Sequence, residues 1–158
     1  MKSLRCALLA LAVFASLANV GCAAMFQRKA PESVEILSRK ETSPAVSVKH
    51  VLIAWAWLDS TYRHQGMDLD PRAQSRTQTD AENLAVELLG KLNAGAPIEL
   101  LMKQYSEDPG SAQSGISYPV TPASHLADDF IELSLRLNVG ESGIVKSQFG
   151  YHVIQRIQ

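Results

Sequence analysis

Residues 46–55 read VSVKHVLIAW, and this stretch decides which fold the chain can form. It is rich in Val and Ile, which favour extended strands, and strand geometry places Val48, His50, Leu52 and Ala54 on one face. An isolated strand is not stable in water. The rest of the chain must therefore supply partner strands and the helices that cover them.

Two helices are predicted downstream of this strand. The segment TDAE at 79–82 has the pattern of a capping box, and the leucines that follow recur at helical spacing until Gly95 ends the run. Pro97 suits the first turn of a second helix, whose buried face consists of Ile98, Leu101, Met102 and Tyr105. Residues 59–78, between the strand and these helices, form a long polar connection of the kind that is either functional or disordered.

The second half of the chain predicts the remaining elements. The segment YSEDPGSAQSGISYP (105–119) contains Asp-Pro-Gly, which makes a turn before strand-like sequence. Ser124 is the predicted N-cap of a third helix, which would bury Phe130, Leu133 and Leu137. Residues 144–146 and 151–157 are typical of two final strands. This order of elements predicts an α+β domain with one small, mostly antiparallel sheet.

The composition restricts the class of protein. With 158 residues, 46% of them apolar and 20% charged, the chain suits one globular domain and an extra segment at one end. A formal net charge of −1 gives no electrostatic reason to bind nucleic acid or an anionic membrane surface. The two cysteines, Cys6 and Cys22, both lie near the N-terminus, which excludes a fold built on disulfides.

The N-terminus has the organisation of an export signal. Two positive charges precede residues 6–17, an apolar run that is short for a membrane-spanning helix, and small residues follow. Residues 1–21 are therefore interpreted as a signal peptide, with an ordinary cleaved signal or an uncleaved anchor as alternatives to a lipoprotein signal. The Gly-Cys pair at 21–22 resembles the end of a bacterial lipobox and predicts lipidation of Cys22, although Asn19 stands where an aliphatic residue is usual.

Residues 22–47 are mixed and polar, and we interpret them as a tether from the lipidated cysteine, with a short helix near 33–40. A flexible chain of about 25 residues spans roughly 25–30 Å, which would hold a domain near a membrane. Ala23 stands where Asp often signals retention at the inner membrane. The predicted location is therefore the periplasmic face of the outer membrane, with a periplasmic or secreted protein as the alternative.

Three segments together resemble a known family. KHVLI (49–53) begins the domain, YSEDPGSA (105–112) follows the second helix, and FGYHVIQ (149–155) closes the chain. Their order and the elements between them are similar to those of the parvulin-type peptidyl-prolyl cis–trans isomerases, over about residues 48–158. The resemblance implies an FKBP-like fold, with a four-stranded sheet flanked by three to four helices.

The resemblance also implies a set of site residues. The positions that match catalytic residues of the family are His50, Asp108 and His152, with the two histidines close together at the centre of the sheet. The positions that match its substrate-binding residues are Tyr118, Leu126, Phe130, Ser147 and Phe149. Of these, Phe130 and Leu126 correspond to the pocket for the proline ring. No metal or organic cofactor is implied, and the implied partners are unfolded or proline-containing polypeptides outside the cytoplasm.

One segment departs from the family pattern. Gly-Ile-Ser-Tyr-Pro at 115–119 stands where the family usually has Gly-Gly-Asp-Leu-Gly, so Ile116 and Pro119 replace two glycines. This affects the expected geometry around Tyr118. A catalytically weak or inactive module that binds peptides as a chaperone is therefore the alternative function.

Each site residue also has a purely structural interpretation. Asp108 before Pro109 is a common turn former, and His50 and His152 could be core histidines with satisfied hydrogen bonds. Four basic residues of the polar connection are dispersed among acids and are interpreted as a solvated loop, without phosphopeptide specificity: Arg63, His64, Arg72 and Arg76.

Overall fold

The computed structural model describes residues 31–158, so the predictions for the signal peptide 1–21 and for Cys22 lie outside the described residues. Its four strands form one antiparallel sheet in the order β2-β1-β4-β3. The strands are β1 (Val46–Ile53), β2 (Tyr118–Val120), β3 (Ser142–Ser147) and β4 (Gly150–Arg156). The described helices are α1 (Val34–Leu37), α2 (Asp59–His64), α3 (Gln78–Asn93), α4 (Ile98–Tyr105) and α5 (Asp128–Arg136), with a short 3-10 helix at Ala56–Leu58.

Helices cover both faces of the sheet. On one face, Val51 and Ile53 of β1 pack in a core with the buried sides of α3 and α4. On the other face, Val48 packs in a second core with Phe130 and Leu133 of α5. Since helices cover both faces of the sheet, six of the eight residues of β1 are buried. The predicted α+β fold with a four-stranded sheet is confirmed.

Two predicted helix starts are wrong. The capping box of α3 joins Thr77 to Asp80, where the Thr77 hydroxyl accepts the Asp80 N–H and the Asp80 carboxylate accepts the Thr77 N–H, each at 3.1 Å. The helix therefore begins one residue before the predicted segment 79–82. The N-cap position of α5 is Ala127. Ser124 accepts the N–H of Thr121 at 2.9 Å instead, and so stabilises the turn before the helix.

The polar connection 59–78 is more ordered than its composition indicates. It contains α2, and its apolar residues Tyr62, Leu69 and Ala73 are buried in a small cluster of their own. The predicted three to four helices are consequently five within residues 31–158. None of these helices combines the length and the apolar character needed to cross a bilayer.

Residues 33–47 pack against the domain, whereas the sequence assigned them to a tether covering 22–47. The Ser33 N–H donates to the Ile144 carbonyl and the Ser33 hydroxyl accepts the Ile144 N–H, both at 2.9 Å, so this residue pairs with the edge strand β3. Arg39 makes a bidentate ion pair with Glu141 at 2.6 and 2.7 Å. The predicted short helix near 33–40 is present as α1, and it buries Ile36.

The side chain of Ile36 is expected to stabilise the fold, because it is 7% exposed and packs in the core under α5. We predict that Ile36→Ala lowers the free energy of unfolding by about 2 kcal/mol or more. Val34→Ala, in the same helix at a position 50% exposed, is the control and should change it by less than about 0.5 kcal/mol. Urea denaturation measures both, and equal stability of the two variants would contradict the packing of α1.

Candidate active site

The pairing of β1 with β4 brings the two histidines together. Leu52 lies opposite His152 and His50 lies opposite Ile154, so the imidazoles are diagonal neighbours on the same face of the sheet. Their Nδ1 atoms are 3.3 Å apart, and both side chains are buried. The position expected of them at the centre of the sheet follows directly from this register.

Polar contacts extend from the imidazole pair in both directions. At one end, His152 Nε2 lies 2.7 Å from the hydroxyl oxygen of Ser147, which also accepts the Phe149 N–H at 3.1 Å. At the other end, His50 Nε2 lies 3.6 Å from Asp108 Oδ2, which is an ion-pair distance and is longer than a hydrogen bond. The four side chains therefore form a continuous polar row from Ser147 to Asp108.

The proton positions in this row are constrained by burial. Burial, followed by the influence of His50, lowers the pKa of His152 to about 3, while Asp108 acts in the opposite direction. His152 is therefore neutral at pH 7. With an Nε2–H of His50 directed at Asp108, a consistent tautomer assignment has His152 Nδ1–H donating to His50 and the Ser147 hydroxyl donating to His152.

Asp108 is an ionised carboxylate at the edge of the site. Burial raises its pKa, but the interactions with His50, the Ser111 hydroxyl and the Tyr118 hydroxyl outweigh burial and hold the pKa well below its usual range. The hydroxyls of Ser111 and Tyr118 donate to Oδ2 at 2.6 and 2.9 Å, and the Ser111 N–H donates to the same oxygen at 2.8 Å. The bond to the Ser111 N–H is the turn-forming role expected of Asp108. Asp108 Oδ2 therefore closes the turn and also accepts the hydrogen bond from the Tyr118 hydroxyl.

A buried ion pair that the sequence analysis missed supports the position of Asp108. The side chain of Glu107 is 1% exposed and accepts the Ala54 N–H at 2.7 Å and a guanidinium N–H of Arg76 at 2.6 Å. Arg76 also donates to the Ala54 carbonyl at 2.7 Å, and the Glu107 N–H donates to the Leu52 carbonyl at 2.9 Å. These bonds tie the residue next to Asp108 to the end of β1. Burial raises the pKa of Glu107, against the effects of Ala54 and Arg76.

The basic residues of the polar connection are not one solvated group. Arg72 donates to the carbonyl of Ser106 at 2.9 Å, so it and Arg76 both hold the connection against the segment before Asp108. The interpretation as a solvated loop is wrong for Arg76, whose side chain is largely buried, whereas Arg72 is exposed and still makes this bond. Their partners lie 31 and 34 positions away in sequence for Arg76 and Arg72, so no local pattern indicated these contacts. Arg63 is exposed and pairs with Asp59 at 2.7 Å.

Aromatic and apolar side chains pack against the imidazoles of the polar row. The ring of Phe130 meets both imidazoles edge-on, with centroid distances of 5.1 Å to His50 and 5.2 Å to His152. Tyr118 meets His50 at 5.4 Å. Together with Leu126, these rings border a cavity of about 410 Å³ whose lining includes His50, Asp108 and His152.

The altered segment 115–119 reaches the cavity through Tyr118. Ile116 and Pro119 are exposed and do not line the cavity, whereas the Tyr118 hydroxyl bonds to Asp108. A Cβ at Gly110 would collide with the Tyr118 hydroxyl oxygen. Gly110 is thus required by the close approach of Tyr118. Burial, followed by the bond to Asp108, raises the pKa of Tyr118 to about 12, so the phenol remains a donor.

Seven of the eight predicted site residues line this one cavity: His50, Asp108, Tyr118, Leu126, Phe130, Phe149 and His152. Ser147 does not line it and instead contacts His152, and its role in binding substrate stays a prediction. Sequence reasoning missed other lining residues, among them Leu52, Tyr62, Gln65, Met67, His125 and Gln148. For two of these, Tyr62 and Met67, the available signal was an apolar residue within the polar connection.

Within residues 31–158, no three His, Cys, Asp or Glu side chains are grouped so as to hold a metal ion. His64 of the polar connection is exposed, and its Nδ1 lies 2.6 Å from the Ser60 carbonyl oxygen. The cavity itself presents one carboxylate, a neutral imidazole beside a second one, a phenol and apolar walls.

Comparison with known proteins identifies the family. Residues 33–158 match the family described as "PPIC-type PPIASE domain", which is most of the chain. The chain belongs to this family of peptidyl-prolyl isomerase domains, and the predicted resemblance is confirmed. The matched region begins at Ser33, in agreement with the packing of residues 33–47 on the domain.

Sequence similarity to individual proteins supports this family assignment. The foldase protein PrsA 4 of Bacillus cereus is 41% identical over 75 residues, which cover 47% of this chain and 27% of that protein. The chaperone SurA of Pseudomonas fluorescens is 32% identical over 84 residues, covering 52% and 20%. The aligned region thus spans about a quarter of the length of these curated relatives.

Solved structures show the same fold. The crystal structure of the peptidylprolyl isomerase PrsA from Bacillus cereus matches with a TM-score of 0.50 and 28% identity, over 74% of this chain and 36% of that one. The peptidyl-prolyl isomerase ESS1 from Candida albicans matches with a TM-score of 0.57 and 21% identity, over 73% and 63%. At the latter identity the likeness concerns the fold alone.

The burial of His152 predicts how stability depends on pH. The imidazole has an ordinary pKa of 6.5 in the unfolded chain, and in the folded protein the pKa is about 3. At pH values between these two pKa values, only the unfolded state binds the proton. The contribution of His152 to the free energy of unfolding is therefore complete above the unfolded pKa and falls by up to about 1.4 kcal/mol per pH unit on acidification. His152→Gln should therefore lose stability less steeply than the wild type between about pH 6.5 and 4.

Urea denaturation across this pH range measures the two slopes. His64→Gln is the matched control, because it removes one imidazole from the exposed surface and leaves the buried pair intact. Equal slopes for the wild type and His152→Gln would contradict a neutral, buried His152.

Proposed function

We propose that this protein is a peptidyl-prolyl cis–trans isomerase that accelerates rotation about Xaa-Pro bonds in polypeptides folding outside the cytoplasm. The observation that carries the proposal is the meeting of Asp108, His50, His152 and the Phe130 ring in one cavity. Membership of the isomerase-domain family and the similarity to proteins named as foldases support it.

The apolar side of the cavity accepts the proline ring. Phe130 and Leu126 provide surfaces beside the imidazoles, and Phe130 is itself held by packing in the core. A proline ring seated there leaves its imide bond over His50 and His152. Binding of the ring in this position restrains one side of the bond while the other side rotates.

The polar side of the cavity lowers the barrier to rotation. Planar imides resist rotation by about 18–20 kcal/mol because the C–N bond has double-bond character, which also places negative charge on the carbonyl oxygen. In the twisted transition state this charge decreases. A fixed negative charge at Asp108 that faces the oxygen repels the planar form more than the twisted form, and so favours the transition state.

The imidazole pair acts as a rigid floor of the cavity. A neutral His152 adds no full charge beneath the imide, and its contacts to Ser147 and His50 hold both rings in place. A twisted imide is less polar than a planar one, so a site with little water favours it. Each tenfold gain in rate requires about 1.4 kcal/mol of differential stabilisation.

A second candidate function is a chaperone-like module that binds proline-containing segments with little catalysis. The contacts of Asp108 favour it, because Ser111 and Tyr118 both donate hydrogen bonds to the same carboxylate oxygen. These donors weaken the field that the carboxylate exerts on a bound imide. The cavity would then hold a client segment without accelerating its rotation.

Export and lipidation complete the proposal. Residues 1–21 would direct export and be removed, and Cys22 would be acylated and anchor the protein at the periplasmic face of the outer membrane. Because residues from Ser33 onward pack on the domain, the ten residues 23–32 would form the tether, with a reach of at most about 35 Å.

Exchange NMR on Ala-Xaa-Pro peptides tests catalysis by the purified protein. We expect acceleration, and we expect Leu126→Ala to lower kcat/KM about tenfold, because it removes aliphatic surface that would contact the proline ring. Leu100→Ala, the same substitution at a side chain 62% exposed on α4, is the control and should retain wild-type kcat/KM. Absence of acceleration, combined with suppression of client aggregation, would replace the isomerase proposal with the chaperone one.

Mass spectrometry of the mature N-terminus tests the anchor. We expect a chain that begins at Cys22 and carries acyl groups, and we expect Cys22→Ser to release the protein from the membrane fraction. An unmodified N-terminus, or a chain that retains residues 1–21, would contradict lipidation and leave the isomerase proposal intact.

A further inference from the structure

Tyr118 brings a hydroxyl to a position where the family pattern has Leu. The residue lies in β2 opposite Val48 of β1, and its ring meets His50 at 5.4 Å and Phe130 at 6.4 Å between centroids. Strand pairing and these two ring contacts hold the phenol in place. The hydroxyl therefore reaches Asp108 from a fixed direction, and it is a polar group added to an otherwise apolar surface of the cavity.

This hydroxyl is bonded to the carboxylate that lines the cavity. It donates to Asp108 Oδ2 at 2.9 Å, and the same oxygen accepts the Ser111 hydroxyl at 2.6 Å and the Ser111 N–H at 2.8 Å. Within residues 31–158, every hydrogen bond of this carboxylate is accepted by Oδ2. Each donor places positive charge beside that oxygen and so reduces the field that the carboxylate exerts on a bound imide.

The bond from Tyr118 is not needed to form the turn at Asp108. Two bonds from Ser111, three positions along the chain, already close that turn, and Ser111 is fully buried. Tyr118 is ten positions from Asp108 and belongs to β2. Its hydroxyl is therefore the one of the two hydroxyl donors that can be removed while the turn stays closed.

We propose that the Tyr118 hydroxyl limits the rate of isomerisation, because its hydrogen bond reduces the charge that Asp108 directs at a bound imide. The inference rests on the proposed function. A water molecule at this place could leave when a peptide binds, whereas the phenol is held by its ring contacts. The hydrogen bond therefore persists in the complex with substrate, where it acts on kcat through Asp108.

Gly110 offers an independent way to break the same hydrogen bond. A Cβ at Gly110 would collide with the Tyr118 hydroxyl oxygen, but it would lie 3.4 Å from Asp108 Oδ2, an ordinary contact distance. Gly110 does not line the cavity, and it is not among the glycines with positive φ. Gly110→Ala should therefore move the hydroxyl away from the carboxylate without straining the backbone.

The test compares the complete wild-type protein with Tyr118→Phe, which keeps the ring and removes the hydroxyl. Exchange NMR on an Ala-Leu-Pro peptide at several concentrations gives kcat and KM separately. We expect kcat to rise about threefold or more, with KM within about twofold of the wild type, because the ring contacts remain and only the charge facing the imide changes. Tyr105→Phe, which removes a phenol hydroxyl that contacts Lys91 outside the cavity lining, is the matched control and should leave both constants unchanged.

Two further variants show whether the effect passes through Asp108. Gly110→Ala should raise kcat by a similar factor, and it should add nothing to Tyr118→Phe because both changes remove the same bond. In an Asp108→Asn background, which lacks the carboxylate charge, Tyr118→Phe should no longer raise kcat. Urea denaturation checks that each variant is folded. A purely structural role of the hydroxyl predicts the opposite sign, with kcat lowered together with stability.

The outcomes separate the role of Tyr118 from the proposed function. An unchanged or lower kcat for Tyr118→Phe, or a gain that persists in the Asp108→Asn background, would overturn the inference and leave isomerisation standing. Acceleration by Tyr118→Phe without acceleration by the wild type would support the inference and overturn catalysis by the native protein. Absence of acceleration by both proteins would overturn both.

Discussion

The register of β1 against β4 is the constraint on which the site depends. On the face covered by α3 and α4, Val51 pairs with Val153 and Ile53 pairs with Tyr151, and all four are buried in one core. A shift by one residue would turn these side chains to the wrong face. The apolar packing of one face therefore determines where the imidazoles meet on the other, and it holds their Nδ1 atoms 3.3 Å apart at the centre of the sheet.

Burying a carboxylate and two imidazoles together costs free energy unless each polar atom has a partner. Here Ser147 contacts one imidazole, while Ser111 and Tyr118 donate to Asp108. The Arg76–Glu107 pair ties the neighbouring backbone to the end of β1 and keeps the carboxylate at the edge of the cavity. The polar row is thus fixed before a substrate arrives, which is the condition for electrostatic catalysis.

Local periodicity and turn motifs predicted the strands and the helices other than α2, whereas the seven cavity residues followed from the resemblance to the parvulins. The start of α3 was misplaced because two similar patterns overlap: Thr77 and Thr79 each precede an acid by three residues, and the capping box forms at Thr77. The Arg76–Glu107 pair and the docking of Ser33 on β3 join segments distant in sequence. Contacts between distant segments produce no periodic pattern in the sequence, so only the three-dimensional structure revealed them.

The central claim is that a proline ring lies against Phe130 and Leu126 with its imide over the two histidines. Intermolecular NOEs between a labelled protein and an Ala-Leu-Pro peptide test this position directly. The account predicts NOEs from the proline ring protons to the side chains of Phe130 and Leu126. Contacts confined to a different surface, such as that around the exposed side chains of Leu100 or Val139, would contradict it.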